Sequence, residues 1–227
     1  MILGITGGTG CGKTTLLKVI AEKGGLILDC DAIYHQLLAT DASLLKAIGS
    51  RFPGTVENGQ LQRKKLGSIV FSDEKALLDL NRITHSAIKA EVMRQLECRP
   101  NLAAIDAIGL FEGGLAELCH VTVAVTAPAE VRVQRLMKRD NISEEYARSR
   151  IAAQHDDDWF RQRCDHVLEN NGTIDAFATK CVAFLRTIGI NDSNAVNNAL
   201  YGGDVVACVK LLFGKIVIYG KGFGGNL

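Results

Sequence analysis

The stretch "GGTGCGKT" at residues 7–14 limits the possible folds of this chain more than any other feature. Gly7 is followed by four residues and then Gly12-Lys13-Thr14, the complete G-x-x-x-x-G-K-[ST] pattern of a phosphate-binding loop. Its context is also the required one, since a β-rich run, Ile2 to Thr6, precedes it and a helical pattern, "KTTLLKVIAEKGG", follows. Glycines let the backbone curl until successive N–H groups face phosphate oxygens, and the helix N-terminus adds positive potential. In such a loop Gly10, Cys11, Gly12, Lys13, Thr14 and Thr15 line the phosphates. Lys13 reaches the β- and γ-phosphates, and the Thr14 hydroxyl is a ligand for Mg²⁺. Cys11 acts there as a spacer whose N–H matters more than its thiol.

The loop opens a βαβ unit that Leu26 to Leu28 completes. Further along, "NLAAID" and "HVTVAVTA" read as core strands, too continuously apolar for an exposed sheet. Between about Gln62 and Leu96 the pattern is helical, with Leu77, Leu80, Thr84 and Ile88 along one side. "AEVRVQRLMKRD" and "SEEYARSRIAAQ" are helical, the second capped by Ser143, and "HVLEN" is a last short strand. Strands alternating with helices imply an α/β fold with a doubly wound, mostly parallel sheet flanked by helices.

The composition narrows the function. A net charge of +1 gives no bulk attraction to nucleic acid or an anionic membrane, so neither is expected as a partner. Seven cysteines with no C-x-x-C pair suit free thiols in a reducing cytoplasm. The late apolar stretch "VVACVKLLFGKIVIYG" is broken by Lys210 and Lys215 and is too short to span a bilayer. A GTPase would carry N-K-x-D, and no Asn-Lys pair occurs, although "DAIG" at 106–109 matches a weak D-x-x-G. A small-molecule kinase suits the chain's length best.

Several residues are candidates beside the loop. Asp29 and Asp31 fall at the carboxyl end of the second strand, where open α/β sheets bind ligands. If strand alternation persists, both carboxylates project one way and Cys30 the other, which weakens a metal or redox reading of "DCDAIYH". Asp31 is then a base for an acceptor hydroxyl, or simply the cap of a helix starting at Ala32. Asp106 ends an apolar run like a carboxylate that engages Mg²⁺. Arg135 and Arg139 share one helix face with Arg132 nearby, either to neutralise a transferring phosphoryl group or as a solvated basic face. "HDDD" at 155–158 reads as solvated, because consecutive residues seldom converge on one ion. His85 and Glu112 are further candidates for substrate contact.

Together these pieces resemble the dephospho-coenzyme A kinase family over residues 1 to about 190. The resemblance rests on "GITGGTGCGKTT", "LDCDAI", "GQLQRKKLGSIVFSD", "ITHSAI", "DAIGLFEGGL", "RLMKRDNISEEYARSRIAAQ" and "VLENNG". It implies transfer of the ATP γ-phosphate to the ribose 3′-hydroxyl of dephospho-CoA, the last step of CoA synthesis, with ATP as co-substrate and Mg²⁺. It also implies a helical acceptor-side subdomain over 62–100 and a helical lid over 139–163. Asp31 becomes the acceptor-hydroxyl base or orienter, and Arg139 with Arg135 stabilises the phosphoryl group. Asn170 and Gly172 lie near the adenine, and His85 lies near the acceptor. His35, Ser86 and Ile108-Gly109 depart from the family's usual Arg, Pro and Pro-Leu, which bears mainly on the acceptor side. Residues 191–227 match nothing in the family and are expected to be an extension. A monomer or weak homo-oligomer is expected. The rival readings are a P-loop kinase for a nucleoside or nucleoside monophosphate, and an ATP-dependent switch with no phosphorylated product.

Overall fold

The computed structural model describes residues 1–191. Apart from Asn191, the expected extension lies outside the described residues. Strands β1 (Ile2–Thr6), β2 (Leu26–Asp29), β5 (Ala103–Asp106), β6 (Val121–Thr126) and β7 (His166–Glu169) form one sheet in the order β2-β5-β1-β6-β7. Every pairing in it is parallel. The first strand is therefore central, and the loop that follows it emerges at the middle of the sheet's carboxyl edge.

Period-2 alternation divides the core into two layers. Leu3, Ile5, Ala104, Val123 and Val125 point to one face, where they pack with Leu16 and Ile20 of α1 (Lys13–Glu22) and Phe177 and Leu185 of α9 (Ile174–Thr187). Leu28 and Ile105 point to the other. There they meet Ile33 of α2 (Cys30–Thr40), Ile48 of α3 (Ala42–Arg51) and Val92 of α5 (Glu74–Leu96). Gly4 also faces this layer, and a Cβ on it would come within 2.8 Å of Leu110 and Cys119. The sheet is thus covered on both sides, as a parallel sheet requires.

The helical stretch expected from residue 62 is two helices. α4 (Arg63–Val70) stops before Asp73, whose carboxylate accepts from the backbone N–H groups of Lys75 and Ala76 and so starts α5. With 23 residues, α5 spans about 35 Å and reaches along the whole second layer. A two-stranded hairpin, β3 (Val56–Glu57) with β4 (Gln60–Leu61), precedes it and turns on Asn58-Gly59, both at positive φ. Beyond the sixth strand come α6 (Ala129–Asp140), α7 (Glu144–Ala152) and α8 (Asp157–Arg163). Ser143 caps α7 as its position suggests, accepting from Tyr146 N–H.

One local expectation needs correction. The second strand ends at Asp29 and α2 begins at Cys30, so alternation does not carry as far as Asp31. Asp29, not Asp31, is the cap: its Oδ1 accepts from the N–H groups of Asp31 (2.9 Å) and Ala32 (3.0 Å). Asp31 stands in the first helical turn, where a negative charge complements the exposed N–H groups. Among the described residues no helix is long and apolar enough to cross a membrane.

Candidate active site

The phosphate loop takes its shape from glycines and is held by side chains from distant elements. Gly7 has φ 129°, and a Cβ there would lie 2.1 Å from the Val125 carbonyl oxygen. Gly12 has φ 96°, a left-handed conformation that any side chain would strain. Lys13 folds back so that Nζ donates to the Gly7 carbonyl at 3.0 Å, with Asp106 Oδ1 4.0 Å away.

Four side chains hold the outer side of the loop. Arg132, only 5% exposed, donates through Nε to the Thr9 carbonyl (2.9 Å) and through Nη2 to Gln154 Oε1 (3.2 Å). Arg135 donates through Nη1 to the carbonyls of Gly10 (3.2 Å) and Cys11 (3.3 Å). Asn170, 4% exposed, donates to the Cys11 carbonyl (2.8 Å) and accepts from Arg135 (3.2 Å). Gln154 Oε1 also accepts from Thr9 N–H at 2.8 Å. With the carbonyls of residues 9–11 bonded outward, the first N–H groups of α1 remain for an anion, because a helix's first turn has no internal acceptors for them. Two guanidinium groups behind the loop add to its positive potential. Burial raises the Cys11 thiol's pKa, so Cys11 is an inert spacer.

Across the loop, carboxylates converge. Asp29 is paired in register with Asp106 on the neighbouring strand, and Asp31 follows in the first turn of α2. Burial pushes the Asp106 carboxyl up to about 6; Lys13 opposes this, while Asp29 and Asp31 reinforce it. Asp106 Oδ1 is buried without a hydrogen-bond partner. A buried, unpartnered carboxylate oxygen suits a divalent cation whose other ligands come from phosphates and water. Among the described residues no three His, Cys, Asp or Glu side chains converge on a metal, so the protein would contribute only part of such a shell.

A cleft opens at Asp31, walled also by Tyr34, Thr84, His85, Ile108 and Gly109, with Cys30 among its lining residues. The wall from Ala107 onward continues β5 and is tied to β1 by two bonds: Ala107 N–H to the Ile5 carbonyl and Thr6 Oγ1 to the Ile108 carbonyl. The cleft is therefore anchored to the strand that carries the phosphate loop. Burial pushes the Cys30 thiol up to about 12, which removes it as a nucleophile.

The structure brings Lys13, Asp31, Asp106, Arg135 and Asn170 together, and His85 stands in the cleft wall. Arg139 is directed elsewhere, its guanidinium donating twice to Asp140, which Arg150 also holds. Gly172 is exposed in the turn after β7. Glu112 bonds His155. His35 is exposed and is not among the cleft's lining residues, whereas its neighbour Tyr34 is. Asp156 of "HDDD" caps α8, accepting from Trp159 N–H. Sequence reasoning left Arg132, Gln154 and Tyr34 outside the site. The burial of an arginine was the missing signal, and no periodicity carries it.

A central-strand phosphate loop, a braced lysine and an adjoining carboxylate-lined cleft define a P-loop kinase. A shikimate kinase from Acinetobacter baumannii shares the fold, with a TM-score of 0.50 at 18% identity over 84% of this chain and 95% of its own. The family described as dephospho-CoA kinase matches residues 1–176. A dephospho-CoA kinase from Corynebacterium diphtheriae is 35% identical over 77% of this chain and 90% of its own length. One from Bacillus anthracis is 34% identical over 85% and 99%. The solved dephospho-CoA kinase of Campylobacter jejuni superposes with a TM-score of 0.59 at 27% identity, covering 82% of this chain and 96% of its own. The chain belongs to the dephospho-CoA kinase family.

Proposed function

We propose that this protein transfers the γ-phosphoryl group of ATP to the 3′-hydroxyl of dephospho-CoA, yielding CoA in the last step of its synthesis. The observation that carries this reading is the placement of Asp31 in a cleft lined also by Ala107, the residue that follows the Lys13-facing Asp106. Residues 10–15 hold the phosphates, with backbone N–H groups at the start of α1 facing them, and Lys13 leaves Gly7 for the β- and γ-phosphates. Asp31 orients the acceptor hydroxyl and takes its proton as the new O–P bond forms and the bond to the leaving ADP breaks. Arg135 supplies fixed positive charge behind the loop. Arg139 adds a second when it exchanges Asp140 for the phosphoryl group, as the 139–163 segment serves as lid.

Thr14 and Asp106 would hold Mg²⁺, which supplies charge neutralisation on the phosphates. The adenine borders the turn at Gly172, and Asn170 serves ATP through the loop that it holds. The acceptor lies against His85, with Glu112 bordering it and residues 62–100 as the acceptor-side subdomain. The reaction takes place in the cytoplasm, a reading favoured by the free cysteines among the described residues. Mass spectrometry of the product after incubation with ATP, Mg²⁺ and dephospho-CoA tests the proposal, alongside a panel of nucleoside and nucleotide acceptors. CoA formation supports it. Turnover of a nucleotide without turnover of dephospho-CoA would reverse it.

A further inference from the structure

His155 and Gln154 are adjacent in sequence but hold opposite ends of the site. Gln154 binds the phosphate loop at Thr9 N–H. His155 Nε2 lies 2.7 Å from Glu112 Oε1, on the turn that walls the acceptor cleft. The other oxygen, Glu112 Oε2, lies 3.8 Å from where a Cβ on Gly109 would stand, and His85 Nε2 lies 4.0 Å from the same point. The imidazole also stacks on Trp159, with centroids 3.8 Å apart and planes parallel. Trp159 in turn meets Phe111 edge-on at 5.6 Å and carries Arg163 over its ring at 4.2 Å. Hence two consecutive residues of the turn dock on this side, Glu112 onto the segment between α7 and α8 and Phe111 onto α8 itself.

We propose that His155 is a positioning residue for the acceptor: it fastens the 107–115 turn to the α7–α8 segment and so fixes the wall of the cleft at Ile108 and Gly109. The inference rests on the acceptor reading given above. Both partners of this contact are half-exposed, so the polar interaction alone contributes little. The stack with Trp159 and the edge contact to Phe111 add directional packing that a surface pair lacks. Since Gln154 holds the loop from the same short segment, that segment relates the position of the ATP phosphates to the position of the acceptor wall.

The chain has a single tryptophan, so its intrinsic emission reports Trp159. In the ligand-free protein, His155→Ala is expected to increase that emission by removing a stacked quencher, and Glu112→Gln to change it by loosening the stack. In steady-state assays His155→Ala should raise the KM for dephospho-CoA about fivefold, with kcat and the KM for ATP within about twofold. His155→Gln, which keeps an N–H donor for Glu112, should recover most of that loss. The double variant His155→Ala/Glu112→Ala should be no worse than the weaker single one. Unchanged emission in both variants would overturn the proposal, as would equal rises in both KM values or a glutamine that rescues nothing. If the wild type does not phosphorylate dephospho-CoA, the proposed function falls and this inference with it. A wild type that turns over, with an unaltered acceptor KM in His155→Ala, overturns the positioning role alone.

Discussion

The phosphate loop and the proposed acceptor cleft lie either side of the Asp106–Ala107 junction but are held in different ways. Around the loop, the carbonyls of Thr9, Gly10 and Cys11 are each bonded by a buried or half-buried side chain from α6 or the end of β7. Around the cleft, Asp31 is exposed, His85 and Tyr34 are half-buried, and the far turn is fastened through half-exposed His155 and Glu112. A phosphate is the same in every nucleotide, so its binding site can be rigid and built largely from backbone. An acceptor is particular, and its site is built from side chains that can be exchanged without disturbing the sheet. Of the three departures from the family's usual residues, Ile108-Gly109 lines this cleft, while His35 and Ser86 each follow a residue that does.

This contrast can be broken at either end. Lys13→Ala should have the largest effect, with kcat falling by about 10³-fold or more, because it removes the charge that the loop itself places at the transferring phosphate. A coupled ADP-release assay measures it, and a fall below tenfold would show that the loop backbone suffices. Asp31→Asn should lower kcat by about 10²-fold while ATP affinity by calorimetry stays within about twofold. Unchanged kcat would remove Asp31 from the chemistry, and weakened ATP binding would blur the boundary between the two regions.

The third test is the pH dependence of Asp106. Its folded pKa, about 6, lies above the ordinary 3.8, so folding disfavours its charge. The resulting cost is absent below the unfolded value, grows as pH rises from about 4 to 6, and is complete above that. It amounts to roughly 2–3 kcal/mol at neutral pH. Asp106→Asn should therefore raise the Tm of the ligand-free protein at pH 7.5 and leave it unchanged near pH 3.5, as thermal melts at the two pH values would show. Arg132→Met should lower stability by about 2 kcal/mol, since it leaves the Thr9 carbonyl and Gln154 short of a donor, and should weaken ATP binding more than acceptor binding. Equal weakening of both substrates would mean that the bracing is not local to the loop. Gly109→Ala should do least. The added Cβ meets Glu112 and His85 only at ordinary contact distance, so an acceptor KM within about twofold is expected.

Much of this was legible in the sequence because it is contiguous. The loop's glycines, lysine and threonine lie within one strand-to-helix turn, and any chain that places them so must curl its N–H groups inward. Asp106 was legible as the end of an apolar run, because a buried parallel strand can bear a carboxylate only at its edge. The cap of α2 was misplaced by two residues. Asp29 and Asp31 are equally good cap residues, and only the strand pairing that ends at Asp29 decides between them.

The sequence by itself determined the chemistry at the sheet's carboxyl edge: a phosphate loop after the first strand, a lysine within it, and carboxylates at the ends of two further strands. The tertiary structure alone decided what holds that chemistry in place. Arg132, Arg135 and Asn170 reach the loop across more than a hundred residues of chain, and His155 reaches Glu112 across 43. Local propensity and periodicity report which face of an element is buried, not which distant backbone carbonyl a buried arginine will find. That choice is made when the layers pack, because a polar group that loses water there must find a partner within the fold.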